Sequence, residues 1–233
     1  MAGTRTIPAM QERPLARILY ALTALSAFTG ITIGYVYIWQ KGALLTLDTP
    51  GLFDDDGQNA VGRLADLSSY FTQWSNVLVV IVFTLLAIRT VGRGRLMQVL
   101  LFTALLMIVN TGLIYNAIIA PAIEPRYGWD LLSTTLVHTV TPLLVLLSWV
   151  LVGPRGWVRR ELILPTLILP SVWLVYTLMR GAVTDAYPYG FVNASELGYP
   201  PVLGINAVIM LGGIALCFLL IGIDRLARRW TPA

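Results

Sequence analysis

The chain of 233 residues has one histidine and one cysteine, and only 12% of its residues are charged. The lone Cys217 excludes a disulfide within the chain. The only lysine, Lys41, lies at the edge of an apolar segment, which excludes a retinal linkage in the middle of a helix. One histidine cannot provide both axial imidazoles of a bis-histidine haem. We therefore expect no cofactor.

Apolar residues dominate the composition: 57% of the chain is hydrophobic, and the mean hydropathy is +0.74. Six segments are long enough to cross about 30 Å of hydrocarbon. They are residues 18–39, 69–88, 96–120, 132–152, 162–179 and 201–223. This pattern predicts an all-α polytopic membrane protein with one domain over residues 1–233.

Loop charges predict the orientation of these helices. Twelve of the 16 Lys and Arg residues lie at the termini and in two short turns. By the positive-inside rule, both termini are then cytoplasmic, in a cell membrane. The basic charge indicates contact with anionic lipid, so no nucleic-acid partner is needed. The outer loops are residues 40–68, 121–131 and 180–200.

Two local features of these segments have structural interpretations. In the first helix, Ala27, Gly30 and Gly34 lie close to one face and allow helices to approach closely. Packing within the chain and a homodimer seam both fit this face. In the fourth helix, Pro142 predicts a bend and a backbone carbonyl that a neighbour must satisfy.

The single histidine lies inside the fourth apolar helix, where an ionisable residue is a candidate functional group. Four further polar side chains fall within about 10 Å of the outer ends of the other helices, at the depth of the histidine. The five are Thr72, Asn116, His138, Tyr176 and Asn206. A shared layer on five helices favours a polar cavity open to the outside over scattered hydrogen bonds between helices.

The second helix adds detail to this layer. Thr72 and Asn76 are four residues apart and stack on one face, with Ser75 beside them. The alternative is that Thr72 bonds a carbonyl of its own helix and that Trp74 belongs to an interfacial aromatic belt.

Three strings resemble one known family. SYFTQWSN in the second helix and VHTVTPLLVLL in the fourth are similar to the signature regions of the androgen-induced membrane protein family and its bacterial six-helix relatives. The outer string AYPYGFVN is similar to the bacterial members. The resemblance implies a multi-pass hydrolase that cleaves fatty acid esters of hydroxy fatty acids, with membrane lipids or lipid esters as its partners.

Carried onto this sequence, the family pattern implies that Thr72 is the nucleophile and His138 the base, with Ser75 as a rival nucleophile. Asn76 is the first choice for an oxyanion donor. Other groups are expected to orient the histidine ring or to complete the oxyanion site: Asn116, Asn206, the Tyr176 hydroxyl or a carbonyl near Pro142.

Substrate contacts are expected from Arg180 and Trp74. Arg180 could hold a substrate carboxylate, although a snorkelling role near lipid headgroups fits it equally well. Loop 180–200, which contains Tyr187 and Tyr189, is a candidate cap over the cavity.

Two non-catalytic functions stay open: a membrane protein that binds or transports a lipid or small solute, and a structural subunit. The predicted helices lack a carboxylate that could couple transport to an ion, which disfavours a transporter. The acidic run Asp54–Asp56 suggests calcium, but its glycine falls at the wrong step for a calcium-binding hand. We therefore expect a solvated loop and no metal.

Overall fold

A computed structural model describes residues 14–41, 52–53, 59–88, 94–123 and 125–230. The acidic run Asp54–Asp56 lies outside these residues. Within them the chain is helical, with the following α-helices: α1 Pro14–Lys41, α2 Ala60–Ser69, α3 Phe71–Ile88, α4 Arg95–Ile114, α5 Gly128–Thr135, α6 Thr141–Val152, α7 Ile163–Thr184, α8 Ala194–Leu197 and α9 Tyr199–Trp230.

Six apolar helices are long enough to cross a membrane, which confirms the predicted fold. Their spans are Pro14–Gln40, Phe71–Ile88, Arg95–Ala122, Gly128–Val152, Arg160–Thr184 and Tyr199–Arg229. The fourth span joins α5 and α6 through a π-helical turn, Leu136–Val140, and a second π turn, Tyr115–Ile119, continues α4. Helices satisfy their own backbone, as hydrocarbon requires.

Two boundary predictions need correction. The segment 40–68, expected to be a loop, contains α2, whose N-cap Asn59 accepts a hydrogen bond from Gly62 N at 2.9 Å. The last helix runs past residue 223 and includes Asp224, which is fully buried and accepts from Gly156 N. A buried carboxylate therefore does occur in a long helix. Asp224 lies at the end of the bundle where residues 153–159 are found, and this end is here called the basic end.

The small residues of α1 pack within the chain. A Cβ added at Gly30 would lie 2.7 Å from Val137 Cγ1, and one added at Gly34 would lie 3.0 Å from Ser133 Oγ. Ala27 is fully buried as well. This face is covered by α5, the π turn and α6, so the chain itself uses it, and the interpretation as a homodimer seam is not supported.

Large side chains fill the half of the bundle towards the basic end. Tyr20, Phe83, Phe102 and Trp149, from α1, α3, α4 and α6, are fully or almost fully buried. The Tyr20 hydroxyl also donates to the Val152 carbonyl at 2.7 Å. The opposite end, here called the α2 end, carries α2 and residues 185–198. Cavities lie there beneath these segments.

Proline and a π turn together shape the fourth span. Pro142 has no N–H to donate to the His138 carbonyl, and the chain widens to a π turn just before it. Asn116 Nδ2 donates to that carbonyl instead, at 2.9 Å. The sequence-based prediction that a neighbour satisfies a carbonyl freed by Pro142 is thus confirmed, and the neighbour is Asn116.

Candidate active site

Thr72 owes its position to a break between two helices. Tyr70 is extended and separates α2 from α3, so Thr72 is the second residue of α3. Two indole groups hold the carbonyls before the break: Trp74 Nε1 donates to Ser68 O at 3.1 Å, and Trp173 Nε1 donates to Ser69 O at 2.9 Å. Trp74 therefore fixes the helix break and does not line either cavity, contrary to its expected role in substrate binding.

His138 lies in the middle of the π turn Leu136–Val140, which joins α5 to α6. Its ring stacks on Tyr115, with 3.8 Å between the ring centres and 21° between the planes. Tyr115 is itself the first residue of the other π turn. Single π turns frequently occur at functional sites. Here two of them bring a histidine and a tyrosine ring face to face.

The two residues of the expected dyad are in contact. Thr72 Oγ1 lies 3.0 Å from His138 Nε2, and His138 Nδ1 lies 3.0 Å from the Thr134 carbonyl. A carbonyl only accepts, so in a neutral ring Nδ1 carries the hydrogen and Nε2 accepts from the Thr72 hydroxyl. The geometry is that of a hydroxyl beside a general base, with the Thr134 carbonyl orienting the ring through its other nitrogen. Thr72 does not bond its own helix.

The ring is oriented by a carbonyl that sequence reasoning missed. Thr134 O lies one helical turn before the histidine, whereas the expected carbonyl near Pro142 is bonded to Asn116. Thr134 Oγ1 donates to Asp130 Oδ1 at 3.4 Å, and Asp130 pairs with Arg126 at 2.7 Å. The residues of this series are four positions apart in the sequence, a spacing that places them on one face of a helix: Arg126, Asp130, Thr134 and His138.

The remaining members of the polar layer do not reach the histidine ring. Asn116 is exposed and supports the His138 backbone. Asn206 Nδ2 donates to the Phe191 carbonyl at 3.0 Å, which ties α9 to residues 185–198. The Tyr176 hydroxyl lies 3.2 Å from Ser69 Oγ, and its ring packs near Trp74. None of the three orients the ring.

Ser75 and Asn76 are also committed elsewhere. Ser75 Oγ is buried, donates to the Thr72 carbonyl at 2.9 Å and lies 2.9 Å from Thr111 Oγ1. Asn76 Nδ2 donates to the carbonyls of Thr72 and Val137, at 2.9 and 3.2 Å. Both amide hydrogens of Asn76 are used, and neither residue lines a cavity, so their contacts support no role as nucleophile or oxyanion donor.

Two cavities meet at the dyad. The first, about 780 Å³ with its open mouth, runs between α4, α7 and α9 and has a largely apolar lining. The second, about 1200 Å³ with its open mouth, lies beneath residues 185–198 and includes more polar side chains. Thr72 and His138 line both. Ile118 lines the second cavity and is 65% exposed, so that cavity opens to the side of the bundle.

A cation also lines the second cavity, but it is Arg126 and not Arg180. Arg180 pairs with Asp66 and lies over the Phe53 ring, at 4.8 Å, away from both cavities. Arg126 pairs with Asp130 at 2.7 Å, and its side chain is one of the residues that line the cavity. A guanidinium at a cavity wall is suited to an anionic ligand.

Residues 185–198 cover the dyad at the α2 end. Tyr189, from this segment, stacks on Phe191 with 5.0 Å between ring centres and lines both cavities. Burial raises the pKa of Tyr189 to about 12, and interactions with the Thr72 side chain and with the backbone of Phe71 and Thr72 act in the opposite direction. The phenol is therefore neutral at physiological pH.

No family model, curated protein or solved structure matches this chain.

Proposed function

We propose that this protein is a membrane-embedded hydrolase of lipid esters, with Thr72 as the nucleophile and His138 as the general base. The 3.0 Å contact between Thr72 Oγ1 and His138 Nε2 carries the proposal. A purely structural hydrogen bond would not need to lie where two cavities meet. Nucleophile, base and ring orienter form the arrangement that acyl transfer requires.

The reaction has two halves. In the first, Thr72 Oγ attacks the ester carbonyl while His138 Nε2 takes the hydroxyl proton, and the imidazolium returns that proton to the departing alcohol. In the second, His138 takes a proton from water as the water attacks the acyl-threonine. The bond between the acyl carbon and Thr72 Oγ then breaks, the imidazolium returns the proton to Thr72 Oγ, and the acid is released. The Thr134 carbonyl holds Nδ1–H throughout and stabilises the imidazolium without a negatively charged partner.

The cavities suit an ester with two long arms. With the carbonyl at Thr72, a hydrocarbon chain fits the apolar cavity along Leu106, Leu167 and Met210. The other arm fits the cavity lined by Arg126, whose guanidinium can attract a carboxylate. Fatty acid esters of hydroxy fatty acids have this form, as do similar lipid esters with one acidic arm.

The location fits a lipid substrate. With cytoplasmic termini, as the loop charges favour, the α2 end faces the outside of the cell membrane and the dyad lies in the outer leaflet. An ester dissolved in that leaflet could enter from the side, past Ile118, while water enters from the α2 end. Both products can return to the same leaflet.

Ester hydrolysis by the purified protein in detergent or nanodiscs tests the proposal. Native protein is compared with Thr72→Ala, His138→Ala and the matched control Ser75→Ala. We expect turnover to be lost in the first two variants and kept in folded Ser75→Ala, because Ser75 does not line either cavity. Robust turnover by both Thr72→Ala and His138→Ala would refute the dyad. Ligand binding without turnover by native protein would favour a lipid-binding function.

A further inference from the structure

The proposed hydrolysis needs a donor for the oxyanion, and Asn76, the residue expected from the sequence, has no free hydrogen. Tyr189 has the appropriate position. It lines both cavities beside Thr72 and His138, and the Thr72 side chain lowers the pKa of its phenol. It comes from residues 185–198, a different part of the chain from either member of the dyad.

The hydrogen bond to the histidine defines which donor Thr72 can still accommodate. Because the Thr72 hydroxyl donates to His138 Nε2, its oxygen can only accept from any further partner. The Tyr189 hydroxyl is such a donor, on the wall of both cavities beside Thr72, and the Thr72 side chain acts on its pKa. The first backbone groups of α3, at Phe71 and Thr72, act on the same phenol.

We propose that the Tyr189 hydroxyl is a catalytic residue of this site and donates a hydrogen bond to the oxyanion; this inference rests on the proposed hydrolysis. As Thr72 Oγ bonds to the ester carbon, the carbonyl electron pair moves onto the carbonyl oxygen. The Tyr189 O–H donates to that oxygen, and no proton leaves the phenol. When the oxyanion collapses and the C–O bond to the alcohol breaks, this hydrogen bond ends.

The surroundings of Tyr189 keep it a fixed donor. Its ring is held between Phe191 and the edges of Tyr70 and Trp173, at centre distances of 5.0, 5.2 and 6.1 Å. The N–H groups at the start of α3 polarise the phenol oxygen and so strengthen its hydrogen as a donor. A donor that is oriented before the reaction needs no reorganisation when the charge appears.

The test compares Tyr189→Phe with Tyr187→Phe. Tyr187 lies two residues away and is buried, and Tyr199 and Ser195, rather than Thr72, act on the pKa of its hydroxyl. It lines neither cavity, so it controls for loss of a hydroxyl from the same segment. We expect kcat of Tyr189→Phe to fall about 100-fold or more with KM nearly unchanged, the effect of removing one oxyanion donor. Tyr187→Phe is expected to keep the native kcat.

A second measurement separates catalysis from folding. A trifluoromethyl ketone analogue of the ester forms an oxyanion on Thr72, whereas the matched ether does not. Folded Tyr189→Phe, checked by its melting temperature, is expected to lose affinity for the ketone but not for the ether. Equal losses for both compounds, or a kcat equal to that of Tyr187→Phe, would overturn the role of Tyr189 while leaving the dyad intact.

If Tyr189→Phe does not fold, replacement of Tyr189 by 3,5-difluorotyrosine retains the ring and hydroxyl but makes the phenol more acidic. Activity is then expected to fall as the pH rises through the lowered pKa, because the ionised phenol cannot donate. An alkaline limb that coincides with that of native protein would overturn the inference. Native protein without esterase activity would instead refute the proposed function itself.

Discussion

Replacing Asn116 by leucine is expected to destabilise the protein by about 1–2 kcal/mol, because it leaves the His138 carbonyl without a donor. Asn116 Nδ2 lies 2.9 Å from that carbonyl, and Pro142 has no N–H to offer in its place. Hydrocarbon around the exposed π turn Tyr115–Ile119 provides no water to replace the amide. The expected cost is that of the His138 carbonyl and of the Thr139 hydroxyl, which loses Asn116 Oδ1 as its acceptor.

A double-mutant cycle with Pro142→Ala isolates this cause. Alanine restores an N–H at position 142 that can donate to the His138 carbonyl, so Asn116→Leu should cost much less in that background. Asn110→Leu is the matched control, since Asn110 Nδ2 donates only to the Leu106 carbonyl of its own helix. Reversible unfolding in detergent measures all variants. Equal costs of Asn116→Leu in the two backgrounds would refute the reasoning.

Three further predictions concern packing, specificity and the basic end. Gly30→Ala should lower the free energy of unfolding by about 1–3 kcal/mol, because its Cβ would lie 2.7 Å from Val137. Gly204→Ala is the control, since a Cβ there has nothing within 4 Å, and it should change the melting temperature little. Equal shifts in melting temperature for the two variants would contradict the packing of α1 against the π turn. Arg126→Gln should raise KM roughly tenfold for esters with a free carboxylate but not for their methyl esters, and an equal change for both would rule out the carboxylate contact. Asp224→Ala should cost about 1–3 kcal/mol in thermal unfolding, since it leaves the Gly156 N–H unsatisfied, yet it should not alter KM for the ester; an unchanged melting temperature would contradict this.

The sequence was sufficient to predict six spanning helices, because hydrocarbon demands long apolar segments and little else. It was less informative at their ends. The helix break at Tyr70 depends on two indoles, one of them from α7, and no local pattern reveals such a contact. The sequence does not predict the extension of α9 to Asp224, because an acidic residue normally indicates the end of an apolar segment. In the structure the Gly156 N–H, distant in sequence, donates to the Asp224 carboxylate.

For the site, helix depth predicts that Thr72 and His138 share one polar layer, whereas their pairing as nucleophile and base is implied only by the family resemblance. The two side chains are 3.0 Å apart in the structure. The Thr134 carbonyl was missed because backbone groups carry no sequence signal. Arg126 and Asp130 lie in the predicted loop 121–131. Their four-residue spacing towards His138 therefore does not predict, by itself, that they share a helix face with it. Tyr189 was recognised only as part of a cap, because its contact with Thr72 joins segments that are distant in sequence.

Site-resolved covalent labelling tests the central claim most directly. The purified protein is treated with a long-chain fluorophosphonate, digested and analysed by tandem mass spectrometry. The proposed mechanism predicts one adduct, on Thr72, that is lost in His138→Ala because the hydroxyl then has no base. An adduct on Ser75, or equal labelling of Thr72 with and without His138, would contradict it.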